Sequence, residues 1–210
     1  MKQYKVKEIF GPTLQGEGSQ AGTVVMFLRM TGCNRWSGRA DDKADSICSF
    51  CDTDFLGGEM KTAGQIVVQL NYLSLGVKHV VISGGEPLLQ VDAALVKELI
   101  TAGYKVHLET NGSIKIDDSF ANLFHHITVS PKQPFSETKL QWAHDLKILY
   151  PWIGDGISPE GFSTFRCAHR FIQPQWQDVV RSNQAQAVNE VLQRPNYRLS
   201  LQLHKILGVQ

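Results

Sequence analysis

The chain has 210 residues, of which 42% are hydrophobic and 20% are charged, which excludes a disordered or fibrous protein and leaves enough apolar residues for a large core. Twenty-one basic residues offset twenty acidic ones, giving a net charge of +1 with no long block of one sign. This balance argues against direct binding to nucleic acid or to an acidic membrane.

The N-terminal sequence MKQYKVKEIF lacks the apolar segment and cleavage site of a signal peptide. The longest apolar run, residues 24–28, is too short to span a bilayer, so a cytoplasmic location is expected. Three of the four cysteines fall within nineteen residues, which in a reducing compartment indicates metal ligation or redox chemistry. Without a linker, a repeat or a low-complexity segment, one domain over residues 1–210 is expected.

Hydrophobic patterning predicts strands that alternate with helices. The predicted strands are residues 4–10, 23–30, 77–82, 104–108, 126–129, 145–149, 170–172 and 198–203. Thr62 and Asp92 are expected to cap two helices, and further helices are predicted over residues 117–124 and 177–192. The last six strands end 19 to 30 residues apart, the spacing of βα units, so a mainly parallel sheet is favoured.

Right-handed crossovers place the carboxyl ends of parallel strands on one rim, where α/β folds bind ligands. The loops expected on this rim follow Gly11 and Gly32 or contain SGGEP, ETNG, SPK and QPQW. The first strand has the composition of a sheet edge, whereas residues 23–30 are apolar except for Arg29 and predict a strand buried on both faces. Weak helical patterning between residues 132 and 145 argues against a complete eight-unit barrel.

The cysteine loop is the most specific stretch of the sequence. Cys48 and Cys51 form a Cys-x-x-Cys pair, and Cys33 arrives from the end of a buried strand. By spacing alone, zinc, a redox thiol pair and an iron–sulfur cluster all stay open. Structural zinc normally takes four ligands and Cys167 lies far along the chain, whereas three thiolates suit a [4Fe-4S] cluster with one open iron.

The motifs around the cysteines resemble those of a known family. SGGEP after a hydrophobic strand, together with the three-cysteine loop, is similar to the radical S-adenosylmethionine (SAM) superfamily. Within it, TLQGEG, FLRMTGCN, CDTD, ETNG, SPK, QPQW and LQLHK resemble the 7-carboxy-7-deazaguanine synthases, in order from about residue 10 to the last residue. The resemblance implies an α/β fold, a partial, modified (βα)6-type radical SAM barrel with a mainly parallel sheet.

One departure from the superfamily concerns the cluster ligands. The common loop is Cys-x3-Cys-x2-Cys, but Ser37 stands four residues after Cys33 and the next cysteine is Cys48. Some synthases of this family carry such an extended loop. We therefore predict Cys33, Cys48 and Cys51 as ligands of the [4Fe-4S] cluster, and we assign no role to the insert over residues 38–47.

The resemblance also implies residues that bind SAM. Gly84, Gly85 and Glu86 match the contacts of the methionine ammonium, where glycine permits close approach. The remaining SAM contacts that the resemblance implies are Phe50, Cys51, Asp52, Ser130, Pro131, Lys132, Gln173, Pro174, Gln175 and Trp176. For GGEP alone, a plain strand-to-helix turn is the simpler interpretation.

The implied substrate is 6-carboxy-5,6,7,8-tetrahydropterin, a flat ring with one carboxylate. Arg29 matches a substrate contact and suits a carboxylate, and Thr53 resembles a ligand of Mg²⁺. The other substrate contacts implied are Leu14, Gln15, Gly16, Glu17, Ser83, His204 and Gln210. Without the family, an ordinary turn would be the preferred interpretation of Thr53.

The implied reaction is a ring contraction that yields 7-carboxy-7-deazaguanine with loss of ammonia, in deazapurine and queuosine biosynthesis. The resemblance also implies a flavodoxin- or ferredoxin-like electron donor and a homodimer. Two alternatives remain: another small radical SAM enzyme, such as a glycyl-radical activating enzyme, and a zinc-stabilised binding module.

Overall fold

A computed structural model describes residues 1–176 and 180–209, with the side chain of residue 180 excluded. The strands are β1 Gln3–Leu14, β2 Val24–Met30, β3 Glu59–Thr62, β4 His79–Gly84, β5 Lys105–Thr110, β6 His126–Val129, β7 Trp142–Tyr150, β8 Arg166–Pro174 and β9 Arg198–Leu199. The helices are α1 Ala63–Leu73, α2 Ala93–Thr101, α3 Asp118–Ala121, α4 Val180–Leu192 and α5 Leu203–Leu207. Within the described residues, no helix is long and apolar enough to cross a membrane.

All of these strands form one sheet in the order β3-β1-β2-β4-β5-β6-β7-β8-β9. From β2 to β9 every neighbouring pair is parallel, whereas β1 runs antiparallel to both β2 and β3. The two edge strands, β3 and β9, do not pair with each other, so the barrel is open. The predicted α/β class and mainly parallel, partial barrel are confirmed.

Strand alternation separates the core from the site. On β2, Met26, Leu28 and Met30 are fully buried in the main core, while Phe27 and Arg29 line a cavity on the other face. Helix α1 contributes Ile66 and Leu70 to this core, and α2 contributes Leu95 and Leu99. The helices therefore cover the outer face of the sheet, and the inner face is left for ligands.

Both predicted helix caps are confirmed. The Thr62 side chain accepts a hydrogen bond from the Gln65 backbone N–H, and the Gln65 side chain accepts from the Thr62 backbone N–H. The Asp92 carboxylate accepts from the Leu95 N–H at 3.0 Å. Each such cap contributes about 1 kcal/mol and fixes where the helix leaves the sheet.

Two local predictions are wrong. The first strand is not an edge, because the short polar strand β3, which has no apolar alternation, pairs with it. The strand predicted over residues 198–203 ends at Leu199, and LQLHK instead leads into α5, whose first residue donates its N–H to Gly16 O at 3.0 Å. The predicted helix over residues 177–192 is confirmed in its described part, α4 Val180–Leu192, and residues 177–179 lie outside the described residues.

The loop after β1 also differs from the prediction. Because β1 is antiparallel to β2, this loop starts at the amino-terminal rim of the parallel strands, not at the carboxyl rim. It then folds across the open barrel to β7, where the Ser19 N–H donates to Asp145 Oδ2 at 2.7 Å. Strands β2, β4, β5 and β6 separate β1 from β7 in the sheet, so this contact requires a strongly curved sheet.

Candidate active site

A cavity of about 570 Å³ opens at the carboxyl ends of the parallel strands. The residues of the predicted site that line it are Leu14, Gln15, Glu17, Arg29, Cys33, Cys48, Phe50, Cys51, Asp52, Thr53, Ser83, Gly84, Gly85, Ser130, Lys132, Gln173, Pro174, Gln175, Trp176 and His204. Gly16, Glu86 and Pro131 are not among its lining residues, and Gln210 lies outside the described residues.

The three cysteines of the loop meet at one end of this cavity. Cys33 and Cys51 are half-buried and Cys48 is buried, and a turn donates the Cys51 N–H to Cys48 O at 2.8 Å. Burial raises the pKa of Cys48 to about 11 and also raises that of Cys51. Buried thiols with a raised pKa become thiolates when a bound metal centre supplies positive charge. Three sulfur donors beside a cavity fit a [4Fe-4S] cluster with one iron facing the open space.

Lys132 lies close enough to the three cysteines for its charge to affect the pKa values of Cys48 and Cys51. Burial lowers the pKa of Lys132 to about 8, while the charge of Cys48 acts in the opposite direction. Its ammonium donates to Ser130 O at 2.7 Å and to Ser130 Oγ at 2.8 Å. The side chain is thereby held over the cavity, where it can pair with a negatively charged ligand group.

The turn after β4 passes too close to the cysteine loop for any residue with a side chain. A Cβ atom on Gly85 would lie 2.1 Å from Gly32 O and 2.7 Å from the Cys33 Cβ. Gly84 has φ +138°, and a Cβ there would lie 2.2 Å from Met30 O. The two glycines therefore let the backbone of the turn form the wall of the cavity next to Cys33.

Glu86, a predicted SAM contact, lies behind the lining of the cavity. Its carboxylate is fully buried and accepts hydrogen bonds from Thr110 Oγ1 at 2.8 and 2.9 Å, from the Asn111 N–H at 2.8 Å and from the Leu88 N–H at 3.0 Å. Burial raises the pKa of Glu86, against the effect of these bonds. The side chain therefore fixes the turn after β4 to the turn after β5, and its carboxylate does not face the cavity.

Three charged side chains meet across the floor of the cavity. Lys147 of β7 is buried and forms an ion pair with Glu17 and a second one, at 3.3 Å, with Glu109 of β5. Gln202 donates to Glu17 at 2.8 Å, and Gln15 donates to Glu109 at 3.2 Å. The group joins the loop after β1 to two strands and to the C-terminal segment.

The charges of this group are mutually dependent. Burial alone would raise the pKa of Glu17, but the charge and the hydrogen bond of Lys147, with Gln202, lower it to about 2. Burial would lower the pKa of Lys147, but Glu109 and Glu17 raise it. For Glu109, burial raises the pKa and Lys147 acts against it. Two acceptor carboxylates and an ammonium thus face the cavity, a set that can bind ring N–H groups and oxygens of a flat polar ligand.

Arg29 and Thr53 lie on the other wall. The Arg29 Nε donates to Glu8 at 2.8 Å, and its guanidinium lies 5.5 Å from the centroid of the Phe10 ring. Thr53 lies between Asp52 and Asp54, and the Asp54 carboxylate is held by Lys7 at 2.6 Å. Glu8 and Phe10 hold the Arg29 guanidinium at the cavity, where it can bind an anion. The acidic residues on either side of Thr53 favour a cation near its hydroxyl.

The C-terminal segment closes one side. A Cβ on Gly16 would meet His204 Nδ1 at 2.1 Å, so the glycine lets α5 lie directly on the loop after β1. Burial lowers the pKa of His204, against the charge of Glu17. Lys205 forms an ion pair with Asp52 and lies 5.2 Å from the Trp176 ring centroid. This segment therefore connects the predicted substrate loop with the predicted SAM contacts.

Comparison with known proteins decides the family. No family model matches the chain. A 7-carboxy-7-deazaguanine synthase of Bradyrhizobium diazoefficiens is 41% identical over 216 residues, covering 99% of both chains. The synthase of Bordetella pertussis is 37% identical, covering 98% of this chain and 99% of its own. The chain belongs to the 7-carboxy-7-deazaguanine synthase family.

Membership in the 7-carboxy-7-deazaguanine synthase family confirms the resemblance drawn from the motifs. The crystal structure of QueE from Escherichia coli superposes with a TM-score of 0.70 at 21% identity, covering 95% of this chain and 94% of that one. This similarity shows that the fold is shared. The chain is thus an enzyme of a radical SAM family, which uses a [4Fe-4S] cluster and SAM.

Sequence reasoning missed several residues of this synthase-family site. Glu109 was noticed only within ETNG, while Lys147, Glu8 and Lys205 received no role. The available signal for Lys147 was its position in the apolar strand LKILY, where a lysine is expected to find a buried partner. Which partner it finds depends on the curvature of the sheet.

Proposed function

We propose that this chain catalyses the radical SAM-dependent and Mg²⁺-dependent ring contraction of 6-carboxy-5,6,7,8-tetrahydropterin to 7-carboxy-7-deazaguanine with loss of ammonia. The observation that carries the proposal is a single cavity that joins three cysteine thiols, the Gly84–Gly85 turn and the Glu17–Lys147–Glu109 group. Sequence identities of 41% and 37% to named synthases, over nearly the whole chain, support the same activity.

The cysteines and the glycine turn support the cofactor part of the proposal. Cys33, Cys48 and Cys51 would hold the cluster, and the backbone at Gly84 and Gly85 would bind the polar end of SAM beside it. When bound, the cluster and SAM together supply a one-electron cleavage whose carbon radical removes a hydrogen atom from the substrate. The protein's part is to hold the reacting groups in place and to exclude water.

The polar floor of the cavity supports the substrate part. Glu17 and Glu109 can accept hydrogen bonds from the amino and ring N–H groups of a pterin, while Lys147 holds both carboxylates in place and keeps Glu17 charged. Arg29 would bind the substrate carboxylate. Thr53 would be one ligand of Mg²⁺, with substrate and water completing the octahedron. A Thr53→Ala variant whose activity shows the wild-type dependence on Mg²⁺ concentration would remove that role.

Product identification tests the function directly. Protein reconstituted with iron and sulfide without oxygen is expected to convert the carboxypterin to 7-carboxy-7-deazaguanine in the presence of SAM and a reductant, detected by mass spectrometry. Cleavage of SAM without this product would favour another small radical SAM enzyme. A colourless protein that holds zinc at the cysteines and cleaves no SAM would favour the zinc-stabilised binding module.

We also propose a single domain, a homodimer and a flavodoxin- or ferredoxin-like electron donor acting in the cytoplasm. One sheet that begins at Gln3 and ends at Leu199 supports the single domain. Apolar side chains exposed on and beside α1, namely Met60, Val68, Tyr72 and Leu75, support a self-association face. Light scattering of the Val68→Glu variant tests this: a dimer that survives the added charge would place the interface elsewhere.

A further inference from the structure

A group of histidines lies at the end of the sheet that the proposed function does not use. Six of the seven histidines lie in or next to β4 to β8, and only His204 belongs to the cavity. His79 begins β4, while Gly84 ends it at the cysteine rim. Five steps along an extended strand span ~16 Å, so this group is well separated from the cysteines.

Three of these histidines come from three consecutive parallel segments. His79 opens β4, His107 lies within β5, and His125 immediately precedes β6. His79 Nδ1 lies 2.9 Å from His107 Nε2, and one ring nitrogen from each of the three falls within 4.8 Å of the others. A tetrahedral zinc ion with Zn–N bonds of 2.0–2.1 Å holds its ligand atoms about 3.3 Å apart, so small ring rotations bring these nitrogens to ligand positions.

His107 is the middle residue of the three, on β5 between β4 and β6. It is 2% exposed, and its Nδ1 has no hydrogen-bond partner in the part of the chain that the structure describes. The nitrogen that faces His79 is Nε2, so a metal bound between the two rings would take Nε2 as its ligand and leave the proton on Nδ1.

The surroundings define the kind of ion. All three donors are imidazole nitrogens, which suit zinc and neighbouring transition metals and not Mg²⁺ or Ca²⁺. Lys105 lies opposite His79 in the register of β4 and β5, and His126 is also close to His107. The positive charge of Lys105 repels a metal cation, so the affinity for zinc is expected to be moderate. His125 is exposed, which gives an ion access from solvent.

We propose that His79, His107 and His125 form a zinc-type site that ties the starts of β4, β5 and β6 together, with water at the fourth position. The site is separate from the cluster. At this end of a parallel barrel its role is to stabilise the fold, because an ion that binds only the folded state raises the melting temperature by mass action.

The test uses cluster-loaded protein without oxygen, so that the cysteines are occupied. After dialysis against micromolar Zn²⁺, zinc and iron per chain are measured by mass spectrometry, and the melting temperature is recorded with and without zinc. One zinc per chain, unchanged iron and a raised melting temperature are expected. His79→Ala and His125→Ala are each expected to weaken zinc binding at least about tenfold and to abolish the shift in melting temperature.

His169→Ala is the matched control, because His169 is exposed on β8 outside the trio and its removal is expected to leave zinc binding unchanged. His107 is not substituted, because it is buried and its loss would disturb packing. The proposal is overturned by protein that binds no zinc, by zinc that persists in the His79→Ala, His125→Ala double variant, or by zinc that appears only as iron is lost.

Discussion

At the scale of single residues, the Cys48 thiol and the Ser37 hydroxyl of the cysteine loop lie in different surroundings. Cys48 is buried in the cavity wall with Cys33 and Cys51, whereas the Ser37 hydroxyl accepts a hydrogen bond from the Arg39 N–H at 3.1 Å and lies outside the cavity lining. The residue at the usual ligand position is therefore a turn residue here. The insert over residues 38–47 separates Ser37 from Cys48, where the chain returns to the cavity wall.

Cys48→Ala is accordingly expected to abolish cluster binding, because two thiolates cannot hold the cluster with one open iron. Ser37→Ala is expected to keep the wild-type iron content, since it removes only the bond to Arg39. Iron, sulfide and absorbance near ~400 nm after anaerobic reconstitution measure both. Loss of the cluster in both variants would show that the ligand set is incomplete.

Glu17 leads to a prediction about pH. Its pKa is lowered from the ordinary 4.5 to about 2 in the folded chain, so the folded state is stabilised above pH 4.5 and loses this stabilisation as the pH falls toward 2. The contribution is on the order of 3 kcal/mol. The free energy of unfolding of the metal-free chain, measured in urea, is expected to fall less steeply over this range in Glu17→Gln than in the wild type.

The matched control for this prediction is Glu137→Gln, because Glu137 is exposed and distant from the cavity. It is expected to follow the wild-type curve. Identical slopes for Glu17→Gln and the wild type would mean that Lys147 does not hold Glu17 charged.

At the scale of elements, the site depends on how closely β2 and β4 approach each other. The two strands are parallel, with Arg29 opposite Ser83 and Met30 opposite Gly84. Each leads into a loop, and the Glu86 N–H donates to Gly32 O at 2.9 Å, so the loops are bonded to each other just beyond the strands. Glycine is required at the crossing because the space is filled by backbone of the neighbouring loop.

Gly85→Ala is expected to destabilise the chain by about 1–3 kcal/mol and to lower iron content and SAM affinity, because its Cβ displaces Gly32 and Cys33. Gly64→Ala provides the contrast: Gly64 lies in the first turn of α1 with open space around it, so this change is expected to stabilise by about 0.4–1 kcal/mol. Urea unfolding and equilibrium dialysis with SAM measure these effects. Equal stability of the two variants would contradict the close crossing.

At the scale of the whole molecule, segments near both ends of the chain cover the cavity of the open barrel. The loop after β1 crosses to β7, and α5 lies on that loop through the Leu203 N–H bond to Gly16 O at 3.0 Å. Gln202 reaches Glu17, and Lys205 reaches Asp52. The parallel strands therefore provide the side of the cavity that holds the cysteines, and segments near the two chain ends complete the side that holds Glu17.

Deletion of residues 202–210 is expected to leave iron content unchanged and to reduce kcat/KM for the carboxypterin at least about 100-fold, because the substrate side loses its cover and the position of Glu17. Lys205→Ala is the matched partial change and is expected to have a small effect, since its partner Asp52 is partly exposed. Wild-type activity of the shortened chain would exclude α5 from the site.

The sequence by itself determined the features that depend on local pattern and strand direction. Apolar periodicity and caps at Thr62 and Asp92 predicted the βα units, and parallel strands necessarily bring the cysteine loop and SGGEP to one rim. Cys33, Cys48, Cys51, Gly84 and Gly85 were therefore placed together correctly before any coordinates were known.

Tertiary structure alone decided which distant side chains meet. Lys147 is 130 residues from Glu17, and their pairing depends on an antiparallel β1 and on the curvature that brings its loop across the barrel to β7. LQLHK alternates like a strand, but its last three residues begin α5, and the Leu203 N–H donates to Gly16 O on the loop after β1. The three histidines come together only through the register of β4, β5 and β6, because strand pairing, not sequence spacing, sets the distances between side chains on neighbouring strands.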